Sequence, residues 1–202
     1  MLRNRLFSIS ALAVAFVYAA NGQALTAPNV PANLRVPSGH TAFLKGTAVG
    51  TQNYICLPSG SGLAWKFLAP QATVFLTFRW FGGDASQQIL THFLSPNPQE
   101  AGTPARATWQ SSVDTSAVWG KKIAESSDPA YVAADAIPWF LLQAVGTQRG
   151  PMGGTILART TYVQRVNTSG GTTPEGGCTE AGVMQFVPYR AEYIFYQADS
   201  PR

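Results

Sequence analysis

The most constraining feature of this chain is alternation with a period of two. Between Ala72 and Trp80, the apolar side chains Ala72, Val74, Leu76, Phe78 and Trp80 share one face, while Thr73, Thr77 and Arg79 share the other. Successive side chains of a strand point to opposite sides, so the segment acquires a buried face only as a β-strand. The pattern recurs on both sides of it. Gln52, Tyr54 and Cys56 alternate with Asn53 and Ile55, then Leu63, Trp65 and Phe67 alternate with Ala64 and Lys66. The turn-forming run Pro58-Ser59-Gly60-Ser61-Gly62 between them predicts a β-hairpin. Gly82-Gly83-Asp84 turns the chain into a strand over Gln87–Leu94, where Leu90, His92 and Leu94 share a face. Further strands are expected over Arg106–Ser111, Val118–Ala124, Thr155–Val166, Val183–Val187 and Ala191–Gln197. Ala136–Val145 is apolar on both faces, a strand buried on two sides or a short helix, and Ser126–Asp135 is suited to a helical turn. With no amphipathic helix of useful length, the expected fold is all-β: a single antiparallel β-sandwich or closed β-barrel of about 9–10 strands.

The first residues read as a targeting segment. Arg3 and Arg5 form a positive start, Leu6–Ala20 is an apolar core, and small residues follow. This predicts a signal peptide over 1–24 with cleavage after Gly22 or Ala24. A spanning helix needs ~20 apolar residues, and Asn21, Gly22 and Gln23 end this run sooner. Residues 25–39, with Pro28, Pro31 and Pro37, form an extended arm, and 40–202 form the β domain. The expected location is therefore export, to a periplasm or the extracellular space. Cys56 and Cys178, an even count in an exported chain, suggest a disulfide, two separate buried thiols being the alternative.

Losing Arg3 and Arg5 lowers the formal charge from +4 to +2, twelve basic against ten acidic residues. Lys121-Lys122 is the longest basic run, which argues against a nucleic-acid partner. Charged residues make up only 12% of the chain, so Ser, Thr, Asn, Gln and Gly must wet the surface.

Rare residues gather between Thr91 and Trp119: His92, one of two histidines, Trp109 and Trp119, and Asp114 among Ser111, Ser112, Thr115 and Ser116. Trp65, Trp80 and Trp139 fall on apolar faces and are assigned to the core. Trp109 and Trp119 have polar neighbours, so His92, Trp109, Asp114 and Trp119 are the candidate binding residues. His92, Asp114 and Ser116, with Ser111 as an alternative nucleophile, are the weaker catalytic candidates, since a hydrolase needs a base beside its hydroxyl. No G-x-S-x-G elbow, no HExxH or HxH spacing and no complete dinucleotide fingerprint is present, so neither a metal nor a cofactor is implied. Asn167-Thr168-Ser169 is a glycosylation sequon in a segment read as a loop.

Five separated blocks then occur in order: TQNYICLPSGSGLAWKFLAPQA, THFLSPNP with ARATWQSSVDTSAVWG, AIPWFLLQAVG, TYVQRVNTSGGTTPEGGC and VPYRAEYIFY. Through them the chain resembles the domain-of-unknown-function 3455 family, over roughly His40 to Tyr196. The resemblance implies an exported single domain with Cys56 and Cys178 paired. It carries no established activity and no catalytic residues. The family pattern has glycine where this chain has Thr115. The functional expectation is an exported β domain that binds a small molecule, a glycan or a surface. The alternatives are a secreted hydrolase using His92 with Asp114 or a nearby serine, and a structural envelope or matrix protein.

Overall fold

The structure, a computed structural model, describes residues 25–199. The expected leader over 1–24 and its cleavage points lie outside the described residues. So does the side chain of Trp80, for which the sequence predicts a core position.

Eight strands form one closed antiparallel barrel in which each pairs with its neighbours in sequence. They are β1 (His40–Ser59), β2 (Gly62–Trp80), β3 (Gly83–Ser95), β4 (Arg106–Ser111), β5 (Ala117–Ser126), β6 (Trp139–Gln148), β7 (Thr160–Gly170) and β8 (Met184–Ala198). Closure comes from β1 against β8, in register from His40↔Ala198 to Ile55↔Met184. The expected hairpin is β1–β2, paired through Cys56↔Trp65 and turning at Gly60-Ser61. Of the two expected architectures the barrel is the one formed.

Eight strands, all but the six-residue β4 ten residues or longer, replace the 9–10 short ones expected. Val183–Val187 and Ala191–Gln197 run together through Pro188, at a point where β8 has passed the end of β7 and has only β1 beside it. Proline is tolerated where a strand has lost one neighbour. Thr155–Arg159 is not strand but a set of turns, with Ala158 N–H on Thr155 O (3.1 Å) and Thr160 N–H on Leu157 O (3.1 Å). Ser126–Asp135 does turn, through Tyr131 and Val132 N–H groups on Asp128 O, both 2.9 Å. The sequon lies in β7 rather than in a loop, with Asn167 Nδ2 donating to Glu192 at 2.6 Å.

Two apolar layers explain why β6 is apolar on both faces. Inside the barrel, Leu44, Ala48, Val74, Leu90, Val118, Leu142, Val163 and Phe195 form a buried cluster. Outside it, Val30 and Leu34 of the N-terminal arm and Val132 of the 127–138 segment cover Trp139, Leu141, Val166, Ile194 and Tyr196. Gln164 fastens that cover, its Nε2 donating to Leu34 O (2.6 Å) while its Oε1 accepts from Tyr196 (2.5 Å).

The up-and-down order assigns each loop to an end. The turns at 81–82, 112–116 and 149–159 share one end of the barrel; those at 60–61, 96–105, 127–138 and 171–183 share the other. At the second end, Cys56 and Cys178 are joined by a disulfide across 122 residues. Closing so long a loop removes chain entropy worth about 5 kcal/mol as an upper figure. Backbone bonds between Cys56 and the 182–183 pair, and Trp65 Nε1 on Gly177 O (2.7 Å), complete the attachment.

Candidate functional site

An eight-stranded barrel has an interior just wide enough to be filled by side chains or to hold one small ligand. Here side chains fill most of it and leave one cavity. Leu157, from the 149–159 segment, is fully buried among the interior apolar residues and closes the first end. Toward the second end lies a cavity of about 340 Å³, lined by His92, Leu94, Trp109, Phe140, Leu142, Arg165, Tyr193 and Gln52, with Phe67, Arg106, Lys121 and Lys122 around it.

Alternation dictates the lining. Trp109 on β4 stands opposite His92 on β3 and Val118 on β5. Phe140, Arg165 and Tyr193 are paired in one row across β6, β7 and β8. His92 stacks on Trp109, ring centroids 4.4 Å apart and planes within 10°, with Tyr193 edge-on at 5.0 Å. Its Nδ1 lies 2.9 Å from Thr108 O, an acceptor, so Nδ1 carries the proton of the neutral ring. Burial holds its pKa down to about 3, against the upward pull of that hydrogen bond and with the charge of Arg165 adding to the depression. His92 is therefore uncharged at neutral pH.

Arg165 is the unusual member. It is 7% exposed, yet no described carboxylate is paired with it. Its Nε and Nη2 both donate to Pro138 O, at 3.1 and 2.8 Å, and Phe140 covers its face at 3.8 Å. Burial draws its pKa down while the Tyr193 and Tyr189 hydroxyls oppose that; a guanidinium stays charged regardless. Burial in turn raises the Tyr193 pKa. One further buried atom in the wall, Trp109 Nε1, has no hydrogen-bond partner among the described residues, while the Gln52 side chain stands against the Tyr189 hydroxyl.

Of the residues singled out in the sequence, His92 and Trp109 meet in this wall. Asp114 and Trp119 do not line it. Trp119 is not at a surface but 6% exposed. It faces outward on β5, with Nε1 donating to Ser95 Oγ (2.8 Å). The 96–105 loop folds down beside it, Asn97 and Gln99 donating to Val145 O (3.1 Å) and Thr147 O (2.9 Å). Trp109 is 1% exposed, inside the barrel rather than on an open face. Trp139 is buried in the outer layer, as assigned, whereas Trp65 is not a core residue but half-buried beside the disulfide loop, where its Nε1 reaches Gly177 O.

Asp114 and Ser116 form a separate construction at the closed end. Asp114 accepts from Ile156 N–H (2.9 Å), Ser116 N–H (3.1 Å) and Ser116 Oγ–H (2.7 Å), and Ser116 Oγ accepts from Leu157 N–H (3.0 Å). Partial burial works against the Asp114 charge, but the hydrogen bonds from Ile156, Ser116 and Ser111 outweigh it and hold the pKa below its ordinary value. Ser111 Oγ accepts from the Val113 and Asp114 N–H groups, both 3.2 Å. Thr115 keeps the tight turn without glycine, taking φ 58°. Gly150 lets the plug pass close by: a Cβ there would lie 1.8 Å from Asp114 O. Neither serine nor Asp114 hydrogen-bonds to His92, so the hydrolase candidates do not assemble.

Arg165, Tyr193, Phe140 and Gln52 were missed by sequence reasoning. A signal existed for Arg165. Within Tyr162-Val163-Gln164-Arg165-Val166, alternation puts the arginine on the same face as Val163, so one face of that strand had to accept a charge. Among the described residues, no group of three or more His, Cys, Asp or Glu side chains is placed to hold a metal ion, and no helix is long and apolar enough to cross a membrane.

These features define an up-and-down β-barrel with one interior cavity toward its disulfide-bearing end. The family described as "Protein of unknown function (DUF3455)" matches residues 37–197, and the chain belongs to it. No curated protein and no solved structure matches the chain.

Proposed function

We propose that this protein binds a small molecule inside its barrel and does so outside the cytoplasm. The observation that carries the reading is the cavity wall, which holds a buried cation paired with no carboxylate among the described residues, and a buried Trp109 Nε1 with no acceptor among them. Buried polar groups are normally satisfied, because each one left unpaired costs roughly 1–3 kcal/mol. Among the described residues, Trp139 Nε1 and Thr160 Oγ1 are unpaired elsewhere in the fold, but only at the cavity does such an atom stand with a buried charge beside space of ligand size. His92 and Trp109 are then binding residues, whereas Asp114 and Trp119 support the walls without touching the ligand. The Cys56–Cys178 disulfide and the leader-like opening support export. Catalysis by His92 has no comparable support, since a base held near pKa 3 is a weak proton acceptor and no hydroxyl nucleophile is hydrogen-bonded to it.

The test is a thermal-shift screen over glycans, lipids and small aromatic compounds, on wild type and on Ala107→Trp, which fills the cavity from its wall. At least one compound should raise the wild-type Tm, and Ala107→Trp should lose that response. A blank screen, or equal shifts in both proteins, would remove the reading.

A further inference from the structure

We propose, building on the cavity-binding reading, that the ligand is a compact monoanion: a carboxylate head seated on Arg165 and an aromatic body against the rings of the wall. The head follows from charge. Arg165 brings one positive charge into the interior. The other cations of the lining are accounted for or lie in solvent. Arg106 is paired with Glu100 at 3.0 Å, Lys122 with Glu125, Lys121 is exposed, and His92 is neutral. One unbalanced buried charge is met by one negative charge, which favours a carboxylate over a phosphate dianion. The guanidinium geometry agrees. Its Nε and Nη2 share the Pro138 carbonyl and its face is covered by Phe140. Its remaining polar neighbour is the Tyr193 hydroxyl, a neutral partner that leaves the charge unbalanced, and a planar oxyanion suits a guanidinium edge.

The body follows from size and walls. About 340 Å³ lies at the small end of ligand pockets, roughly 300–1,000 Å³, which excludes a long acyl chain or an oligosaccharide. Trp109, Phe140 and Tyr193 present rings, Leu94 and Leu142 aliphatic surface, and rings pack against one another in offset or edge-on contacts. The buried Trp109 Nε1 offers a further donor to a polar atom of the ligand.

Calorimetry on the disulfide-intact protein with 2-naphthoate, its neutral isostere 2-naphthamide and inorganic phosphate tests this. Naphthoate should bind about 10- to 100-fold more tightly than naphthamide, the value of a charge-assisted hydrogen-bond pair, with phosphate the weakest. Arg165→Gln should abolish the preference for naphthoate while still binding naphthamide, which also shows that the variant is folded. Arg165→Lys should restore part of the preference. Equal affinity for the two naphthalenes in wild type, or a preference that survives Arg165→Gln, overturns the carboxylate assignment and leaves the cavity reading standing. Phosphate binding tighter than naphthoate overturns it in favour of a different anion. No heat from either naphthalene also overturns it, and the Ala107→Trp screen then decides whether the cavity reading falls with it.

Discussion

The two ends of the barrel use buried polar side chains to opposite effect. At the closed end, Asp114, Ser111 and Ser116 have their oxygens taken up by neighbouring N–H and O–H groups, and Leu157 sits fully buried beneath them. At the open end, Arg165 has no carboxylate partner and Trp109 Nε1 no acceptor among the described residues. A satisfied polar cluster is a fastening, whereas an unsatisfied one around a cavity leaves its hydrogen-bonding capacity for something else. Rarity of residue type does not distinguish the two; pairing does.

Breaking the fastening should produce the largest change. Asp114→Ala strands the N–H of Ile156 and the hydroxyl of Ser116, and it loosens the segment that carries Leu157. A loss of about 3 kcal/mol is expected in urea unfolding at pH 7. A loss below about 0.5 kcal/mol, within the range of ordinary surface substitutions, would show that the closed end is not held by this network.

Acid should separate the ends by pH window. His92 titrates at 6.5 in an ordinary setting and near 3 when folded. Between those values the unfolded chain takes up a proton that the folded chain refuses, so stability falls as pH drops below about 6.5 and is untouched above it. The expected loss between pH 7 and pH 5 is ~2 kcal/mol. Asp114, with its pKa lowered, works in a more acidic window: its contribution is present above the ordinary carboxylate value and is lost as pH falls through the folded one. His92→Phe should flatten the pH 7-to-5 slope and leave the more acidic loss in place. An unchanged slope in that variant would place the proton uptake elsewhere.

The smallest effect is expected where a contact-counting view predicts a large one. Arg165→Met removes two hydrogen bonds to Pro138 O but also an uncompensated buried charge. Replacing buried ionic groups with apolar ones of similar size is often neutral or stabilising. Its unfolding free energy should stay within about 1 kcal/mol of wild type. A loss comparable to that of Asp114→Ala would make Arg165 a structural residue like those of the closed end.

Much of the barrel was legible in the chain because strand alternation is local. Ala72–Trp80 declares its faces without reference to any partner, and Gly60-Ser61 turns between two alternating runs. The merging of 183–187 with 191–197 was hidden because Pro188 reads locally as a break; only the end of β7 shows why a strand survives it. Thr155–Arg159 looked like strand because β-branched and apolar residues continue there, while the competing pull of Asp114 and Ser116 on its N–H groups comes from forty residues away in sequence. The site divided along the same line. His92 sharing a face with Leu90 and Leu94 was readable, but its stacking on Trp109 depends on the register of β3 with β4.

What the sequence determined by itself was the all-β class, the hairpin at Gly60, the inward faces of individual strands and the availability of Cys56 and Cys178 for a bridge. These follow from side-chain period, turn chemistry and composition, all of which act over a few residues. The tertiary structure alone decided that the sheet closes on itself, that Asp114 and His92 belong to opposite ends, and that no described carboxylate meets Arg165. Each of those depends on which strands pair and in what register, and on where the volume inside a closed barrel is left unfilled.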